Sequence, residues 1–359
     1  MSTFAVTAEH LTILPHPDAD ALELAQVGGF RAVVRKGAFQ TGDLAIYIPE
    51  AAVLPDELAE ELGLTGKLAG SKRNRVKAVR LRGELSQGIV CLPAALAEVD
   101  LAEAAAARTD FADTLGIVKY VPKVPIHMSG KVEAAPDLLN WIDIENIKRF
   151  PAIFDEGEEV IATEKVHGTC FCLTAVRATG EVYVSSKGFA GKQLALSRDE
   201  TNLYWRTALR YGVDQVALTL ADELDVDRVA IFGEVYGVGV QDLHYGVTGN
   251  GAEPALVIFD VAYDAGDGVR RFVDAKALDD VLAGRLPAST VLYTGPYAPP
   301  AIWQAAAGRE TISGTEANLR EGAVVRPAAE RYSGVLGGRA IATFVSDDYL
   351  LRKGGTEFE

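Results

Sequence analysis

The first hundred residues consist of short, β-prone segments separated by glycine, proline and aspartate, and this pattern constrains the fold more than any other feature. The segments read FAVTAEHLTIL, ELAQVGG, FRAVVRKG, LAIYIPE, RVKAVRLRG and GIVCLP. Runs of this kind between turn residues predict strands, and several at this spacing predict a small β-barrel. An alanine-rich, helix-prone stretch, DLAEAAAAR, follows at residues 100–108. We therefore expect a barrel-like N-terminal domain over residues 1–118.

A different pattern begins further along the chain. Residues 119–138 contain three prolines and little periodicity, which predicts a linker. From residue 139, the helix-like stretches ETNLYWRTALRYG and VDQVALTLADEL alternate with the apolar, strand-like stretches RVAIFGEVYG and ALVIFDVAY. A chain of 359 residues is long enough for two cores. We expect an α+β protein whose second domain, residues 139–359, is a mixed domain built on antiparallel sheet.

Composition narrows the class of protein. No run of 18 apolar residues occurs, and the N-terminal sequence lacks a basic start followed by an apolar stretch, so we expect neither a membrane span nor a secretory signal. The three cysteines (Cys91, Cys170 and Cys172) cannot build a disulfide framework. This cysteine usage favours a reducing, cytoplasmic location.

The net charge of −15 disfavours a nucleic-acid partner, but the charge is unevenly distributed. Between Thr65 and Gly88 the chain carries a single acid, Glu84, and a stripe of seven basic residues. These residues, called the basic stripe below, are Lys67, Lys72, Arg73, Arg75, Lys77, Arg80 and Arg82. Such a stripe fits a phosphate backbone. It equally fits a solvated strand pair, and the pattern alone leaves both interpretations open.

Lys165, in the segment EKVHGTCF, is a candidate nucleophile. A lysine attacks phosphorus only as the free amine, and a reference pKa of about 10.4 means that a shift of about 3 units, or roughly 4–5 kcal/mol, is needed at neutral pH. Burial and neighbouring cations or metal ions supply such shifts. Gly168 would let the backbone approach a phosphate closely. Taken alone, the segment also fits a surface lysine before a turn.

Three later strands add matching chemistry. FGEVYG places Glu234 at a strand end, VIFDV places Phe259 in a second strand, and EGAVVRP places Glu321 before a third. Two carboxylates suit a divalent cation and a ribose hydroxyl, and an aromatic ring suits a purine. Each residue separately could be a surface acid or plain core.

The order EKVHGT, SSKG, FGEVYG, IFDV and EGAVVRP resembles the motifs of the covalent nucleotidyltransferases, which comprise ATP- and NAD-dependent ligases and mRNA capping enzymes. His167, where DNA ligases usually carry aspartate, and the segment DIENIKRFP resemble the RNA ligase branch. HPDADALELAQVGGFRAVVRKG resembles the opening of an oligonucleotide-binding barrel. This barrel placed first and the ending YLLRKGGTEFE resemble the Deinococcus-type, or fifth, RNA ligase family.

The resemblance implies a role for each motif residue. Lys165 would take AMP from ATP as a covalent adduct, Glu234 would bind the ribose, and Phe259 would stack on adenine. Glu321, with Glu234, would hold Mg²⁺ or Mn²⁺. The further residues implied to contact the nucleotide are Glu164, His167, Gly168, Arg149 and Lys187, while Ser186 and the basic stripe would contact RNA.

Two positions depart from the family pattern. Cys170 stands where ligases often carry arginine or asparagine. Thr343 stands where the family usually has a lysine that binds the α-phosphate, and a threonine brings no charge. Either Lys187, Arg326 or Lys353 compensates, or adenylylation of the lysine is impaired.

The resulting expectation is an ATP-dependent RNA ligase that seals 3′-hydroxyl/5′-phosphate breaks, acting as a monomer on RNA or RNA-containing nicked duplexes. Three alternatives stay open. A capping guanylyltransferase uses the same lysine chemistry but carries its barrel after the catalytic domain. A DNA ligase is disfavoured by the RNA-ligase-like motifs. A relative that only binds RNA would explain Thr343, although Lys165, Glu234 and Glu321 oppose it.

Overall fold

The computed structural model describes residues 4–121, 128–249 and 251–352. The chain divides into two compact units. The first comprises Met1–Val121 with Glu145–Pro151, and the second comprises Pro122–Ile144 with Ala152–Glu359. The short segment Glu145–Pro151 therefore belongs to a different unit from the residues on either side of it. Residues 122–127 of the segment interpreted as a linker lie outside the described residues.

The helices and strands follow one another in chain order. Up to residue 121 they are β1 (Thr7–His10), β2 (Thr12–Pro15), β3 (Leu22–Val27), β4 (Phe30–Arg35), β5 (Leu44–Ile48), β6 (Ala52–Val53), α1 (Asp56–Glu61), β7 (Val79–Leu81), β8 (Glu84–Ser86), β9 (Ile89–Cys91), α2 (Leu101–Ala107) and β10 (Val118–Lys119). Beyond it they are β11 (Val132–Ala134), β12 (Glu145–Asn146), β13 (Glu159–Lys165), β14 (Thr169–Val176), β15 (Val182–Ser186), α3 (Lys187–Ala190), β16 (Leu194–Leu196), α4 (Leu203–Tyr211), α5 (Val213–Glu223), β17 (Arg228–Tyr236), β18 (Ala255–Asp264), β19 (Arg271–Phe272), α6 (Leu278–Leu282), β20 (Val291–Pro296), α7 (Pro299–Ala306), β21 (Gly322–Pro327), β22 (Tyr332–Ser333), β23 (Gly338–Arg339), β24 (Ala342–Val345) and α8 (Asp347–Leu350).

The first unit is built from short antiparallel strands, as the turn-rich sequence predicts. Its sheets have the orders β1-β5-β9, β2-β3-β4, β10-β6 and β7-β8. The predicted helix near residues 100–108 is confirmed as α2. It begins where the Asp100 side chain accepts hydrogen bonds from the backbone N–H groups of Ala102 and Glu103, and it ends at Arg108 in a left-handed conformation.

The second unit contains two large antiparallel sheets and the two-stranded sheet β22-β23. The larger has the order β11-β16-β15-β14-β17-β18-β19, and one of its faces packs against α4 and α5. These two helices and strands β17 and β18 lie where the apolar periodicity predicts them. Strand β11 falls within the segment interpreted as a linker. The smaller sheet contains β24-β21-β13-β20 in that order.

A second apolar cluster involves residues from both sheets of this unit. It includes Cys172, Phe232 and Ala262 from the large sheet, together with Trp141 and Ile341, and Val324 of β21 packs against it. Two β-bulges interrupt the ladders close to the predicted site residues, one in β20 opposite Ala162 and Thr163 of β13 and one in β18 opposite Phe232 and Gly233 of β17. Bulges often re-aim side chains next to active sites. Of the helices in the described part of the chain, none is long and apolar enough to cross a membrane.

Candidate active site

Lys165 and Glu321 meet at the end of the smaller sheet. Lys165 is the last residue of β13 and pairs with Gly322, the first residue of β21. The Lys165 Nζ atom lies 2.6 Å from Glu321 Oε1, and the two side chains are 30% and 8% exposed. Glu321 Oε2 is buried and makes no hydrogen bond with the described residues. The fold thus joins two predicted site residues that are 156 positions apart in the sequence.

Glu234 adds a second carboxylate to this group. It lies on β17, directly opposite Cys170 of β14, and is partly buried. Burial raises the pKa of Glu234 well above its ordinary value, and the negative charge of Glu321 raises it further, while the Lys165 ammonium opposes the rise. Glu234 therefore shares one electrostatic environment with the candidate nucleophile and with Glu321.

Lys187 and Ser186 lie on the same part of the large sheet. The antiparallel register pairs Phe171 with Ser186, which brings Lys187 level with Cys170 and hence with Glu234. Lys187 Nζ lies 2.6 Å from Asp143 Oδ1. Burial alone would raise the pKa of Asp143, but the bond from Lys187 outweighs it and the pKa is lowered. Lys187 thus places a cation in the row that contains Glu234.

Phe259 occupies the bulge of β18. The register runs from Asp260 to Ile258 across the bulge and leaves Phe259 unpaired with β17. Its ring centroid lies 4.9 Å from that of Trp141, and the side chain is partly exposed. Arg326 Nη2 donates a hydrogen bond to the Phe259 carbonyl at 3.1 Å. Phe259 therefore presents part of its ring to solvent while Trp141 packs against it.

Thr343 lies on the face of the smaller sheet that carries Lys165. Thr163 pairs with Val324, Val324 pairs with Thr343, and residues two apart on a strand share a face. Of the three candidates for a compensating charge, Arg326 is only 2% exposed and forms an ion pair with Asp260. Lys353 lies outside the described residues. Lys187 follows Ser186, which pairs with Phe171 of β14, the strand whose Cys170 pairs with Glu234.

The Glu164 side chain lies on the opposite sheet face from that of its neighbour Lys165. It is fully buried, Glu164 Oε1 lies 3.5 Å from Arg320 Nε, and it accepts hydrogen bonds from Thr311. Arg320 and Thr311 are therefore the partners of the Glu164 side chain, on the opposite face of the sheet from the Lys165 side chain.

Gly168 is required by a close approach between strands. A Cβ atom at Gly168 would lie 2.1 Å from the Val235 carbonyl oxygen, a distance that no side chain tolerates. The sequence suggested that Gly168 leaves room for a phosphate. The structure shows a different reason for the glycine, the close approach of the Val235 backbone.

The remaining predicted residues belong to the first unit. Lys67, Lys72, Arg73, Arg80 and Arg82 are exposed and Lys77 is partly buried. Arg75 differs, because it is only 5% exposed and its guanidinium lies 4.0 Å from the centre of the Tyr120 ring. The guanidinium of Arg149 lies 5.7 Å from the centre of the Phe150 ring. The solvent-facing part of the basic stripe therefore excludes Arg75.

Four residues around His167 were not predicted. Asp242, Tyr245, Tyr349 and Arg352 surround His167, through contacts between residues 75 to 182 positions apart. Their sequence neighbourhoods, QDLHYG and DDYLLR, contain no spacing that points to Lys165. Only the tertiary fold brings them together.

Comparison with known proteins places this geometry in a family. The family model described as RNA ligase matches residues 158–342, just over half of the chain, and spans Lys165, Glu234, Phe259 and Glu321. The chain belongs to the RNA ligase family. A second model, described as an OB-fold domain, matches residues 6–94. This match confirms the predicted oligonucleotide-binding type of the N-terminal domain.

Solved structures agree with the family assignment. The Naegleria gruberi RNA ligase with PPi is 21% identical, covers 97% of this chain and 98% of its own, and superposes with a TM-score of 0.76. A point mutant of that ligase with ATP and Mn gives 21% identity, 96% and 98% coverage and a TM-score of 0.76. Another, with AMP and Mn, is 21% identical, covers 97% of this chain and 98% of its own, and superposes with a TM-score of 0.75. A search of curated protein sequences finds no significant match. These likenesses confirm the α+β fold.

Proposed function

We propose that this RNA ligase uses ATP and forms a covalent lysyl-AMP intermediate on Lys165. The observation that best supports this proposal is the distance of 2.6 Å between Lys165 Nζ and Glu321 Oε1. Both charges lie close enough to Glu234 to affect its pKa. The similar Naegleria gruberi structures were obtained with ATP, with AMP and with PPi, which supports ATP as the nucleotide.

In the first step, Lys165 Nζ attacks the α-phosphorus of ATP in line and pyrophosphate leaves. The ion pair with Glu321 stabilises the ammonium form, so Nζ has to give up one proton before it attacks, and Glu321 Oε1 at 2.6 Å is an acceptor within hydrogen-bond distance. Phe259 is proposed to stack on adenine, Glu234 to bind the ribose, and Lys187 to contact phosphate, with Trp141 packed against Phe259. Positioning supplies most of the catalysis in a displacement of this kind.

Glu321 and Glu234 also fit a divalent cation. Glu321 Oε2 is buried without a hydrogen-bond partner among the described residues, as a carboxylate oxygen that takes a cation would be. The part of the chain that the structure describes contains no cluster of three or more metal-ligating side chains. Mg²⁺ is commonly bound by one or two carboxylates together with substrate phosphates, and Glu321 and Glu234 would hold Mg²⁺ or Mn²⁺ here, where it would neutralise charge on the phosphates.

In the second and third steps, AMP passes from Lys165 to a 5′-phosphate, and a 3′-hydroxyl then displaces AMP to close the phosphodiester. We propose that the substrate is RNA, or a nicked duplex that contains RNA, and that the protein acts as a monomer. The exposed part of the basic stripe and Ser186 are the proposed RNA contacts.

The test is transfer of label from α-labelled ATP to the denatured protein, with Mg²⁺ or Mn²⁺ present. We expect label on the native protein, none on Lys165→Ala, and undiminished label on the matched control Lys192→Ala, which alters an exposed lysine. Label on Lys165→Ala would assign the nucleophile elsewhere. No label on the native protein, while RNA is still bound, would refute lysine adenylylation.

A second candidate function rests on Thr343. Its position on the Lys165 face, where it contributes a hydroxyl in place of a charged amine, favours a relative that binds RNA but is impaired in the first step. A 5′-adenylylated RNA strand bypasses that step. Sealing of such a strand without ATP, together with absence of label on the protein, would identify this alternative.

A further inference from the structure

His167, two residues after the nucleophile, is held on both ring nitrogens. Its Nε2 atom lies 2.8 Å from Asp242 Oδ1, and its Nδ1 atom lies 2.9 Å from the hydroxyl of Tyr349. The His167 side chain is almost completely buried. A buried imidazole with both nitrogens engaged has one orientation available to it.

Arg352 closes these contacts into a ring. Its Nε atom lies 3.0 Å from Asp242 Oδ2 and its Nη2 atom lies 3.1 Å from Asp242 Oδ1, which is a two-pronged ion pair. The same guanidinium lies 3.7 Å from the centre of the Tyr349 ring. His167, Asp242, Arg352 and Tyr349 therefore contact one another in a closed circuit, called the His167 clamp below.

The protonation pattern follows from the carboxylate. Burial disfavours the charged form of Asp242, but the hydrogen bonds from His167 and Arg352 outweigh it and hold its pKa below the ordinary value. An ionised carboxylate only accepts hydrogen bonds, so His167 Nε2 donates to it. In the tautomer that carries its proton on Nε2, the ring accepts the Tyr349 O–H at Nδ1. Each member of the clamp has a fixed role.

The clamp is connected to the nucleophile through two residues of backbone. The backbone N–H of His167 donates to the Tyr245 hydroxyl at 2.7 Å. Val166 is buried in an apolar cluster with Tyr245, Leu243 and Tyr349. On the other side, Lys165 is fixed by its pairing with Gly322. The direction in which Lys165 leaves the sheet is thus set by the smaller sheet and by the His167 clamp.

We propose that Asp242, Tyr349 and Arg352 are positioning residues for adenylylation, which hold His167 and through it aim Lys165 at the α-phosphorus. The proposal rests on the proposed lysyl-AMP chemistry. It assigns a catalytic purpose to the segment around α8, which contains none of the residues that carry the nucleotide-binding motifs. A misplacement of about 1 Å remote from the chemistry can lower a rate roughly 100-fold.

The clamp also explains why histidine occupies position 167. An aspartate there would face the Asp242 carboxylate inside the protein, and two buried like charges repel. We therefore expect His167→Asp to lose most protein labelling, and the double variant His167→Asp with Asp242→Asn to recover part of it. Loss in the double variant equal to the product of the two single losses would show that positions 167 and 242 act independently, and would overturn the pairing.

Tyr349→Phe removes one hydroxyl and leaves the ring, and the matched control is Tyr332→Phe, whose side chain is exposed on β22. The measurement is single-turnover transfer of label from α-labelled ATP to the full chain, as a function of ATP concentration, together with thermal melting. We expect Tyr349→Phe to lower the maximal rate roughly 10- to 100-fold, with the half-saturating ATP concentration changed less than about 3-fold. An unchanged maximal rate for Tyr349→Phe would overturn the positioning proposal. Labelling of the native protein in the same experiment would leave the proposed lysyl-AMP function intact.

Arg352 offers an independent variant should Tyr349→Phe fold poorly. Arg352→Ala is compared with Arg352→Lys and with Arg177→Ala, which removes a surface ion pair with Asp222 and Asp225. We expect Arg352→Ala to reduce the labelling rate, Arg352→Lys to restore part of it and Arg177→Ala to leave it unchanged. Equal rates for Arg352→Ala and the native protein would overturn the proposal. Absence of label in the native protein would instead refute the proposed function on which the clamp depends.

Discussion

At the scale of single residues, the site depends on positions where a side chain is absent. Gly168 and Gly322 each follow a residue of the candidate site, His167 and Glu321 respectively. A Cβ atom at Gly322 would lie 1.9 Å from the Phe344 carbonyl oxygen, and one at Gly168 would lie 2.1 Å from that of Val235. Both glycines allow neighbouring backbones to approach closely enough to bring the side chains of the candidate site together.

Gly168→Ala and Gly322→Ala should therefore each lower the free energy of unfolding by about 2–3 kcal/mol, because the backbone has to move to admit the methyl group. Urea denaturation followed by circular dichroism measures this. The matched control is Gly334→Ala, where an added Cβ meets open space, and its effect should stay within about 0.5 kcal/mol. Equal effects at all three glycines would show that the close approach is not responsible.

The ionisation and reactivity of the Cys91 thiol report on burial in the core of the first unit. Burial, with the charge of Glu61 nearby, raises the pKa of the Cys91 thiol to about 12. Because the folded pKa is above the unfolded value, the stability contributed by the neutral thiol is present below that unfolded value of about 8.5 and is lost as pH rises toward 12. At about pH 8 the folded protein should leave Cys91 unmodified by iodoacetamide, as judged by peptide mass spectrometry, while guanidinium-denatured protein reacts. Rapid labelling of Cys91 in the folded state would contradict this burial.

At the scale of elements, helix starts are set by local chemistry that the sequence displays. Asn202 begins α4, since its side chain accepts hydrogen bonds from the backbone N–H groups of Tyr204 and Trp205. Its amide also donates to the Ser129 carbonyl. Ser186 begins α3 without any such side-chain bond.

Asn202→Ala should lower the free energy of unfolding by about 1–2 kcal/mol, because buried N–H groups at the start of α4 lose their acceptor. Ser186→Ala, at a helix start without a capping bond, should change it by less than about 0.5 kcal/mol. Denaturant midpoints at constant slope give both values. A Ser186→Ala effect as large as that of Asn202→Ala would rule out capping as the cause.

The elements were predictable to the extent that their signals are local. The strands β17 and β18 follow apolar runs, and α2, α4 and α5 follow helix-prone runs, with a capping side chain at the start of α2 and of α4. The order of strands in the large sheet and the bulge that frees Phe259 were not predictable, because register is decided by packing between distant segments. The same reason separates Lys165, Glu234 and Glu321, whose roles follow from their motifs, from Asp242, Tyr349 and Arg352, whose contacts with His167 and with one another form only in the folded chain.

At the scale of the whole molecule, a net charge of −15 coexists with a locally basic surface. The second unit neutralises many of its arginines internally; those in ion pairs with acids of the same unit include Arg177, Arg228, Arg271, Arg285, Arg320, Arg326, Arg331, Arg339 and Arg352. Within the described residues, no such ion pair forms at Lys72, Arg73, Arg80 or Arg82 of the first unit. The exposed part of the basic stripe therefore carries charge that no acid among the described residues neutralises, which is consistent with the RNA partner proposed above.

If that partner is RNA, binding should weaken with salt in proportion to the number of phosphates that the protein neutralises, since each one releases condensed counterions. Replacing Arg80 or Arg82 by glutamine should reduce the slope of log affinity against log salt concentration by roughly 0.7–0.9 for each phosphate that the variant leaves without its cation. Arg75→Gln should instead lower stability and leave the slope unchanged, because Arg75 is buried against Tyr120. Fluorescence anisotropy of labelled RNA at several NaCl concentrations measures the slope, and thermal melting measures stability. A slope that is the same for the native protein and for Arg80→Gln and Arg82→Gln would show that RNA binds elsewhere, whereas a reduced slope for Arg75→Gln would mean that its guanidinium leaves Tyr120 to reach phosphate.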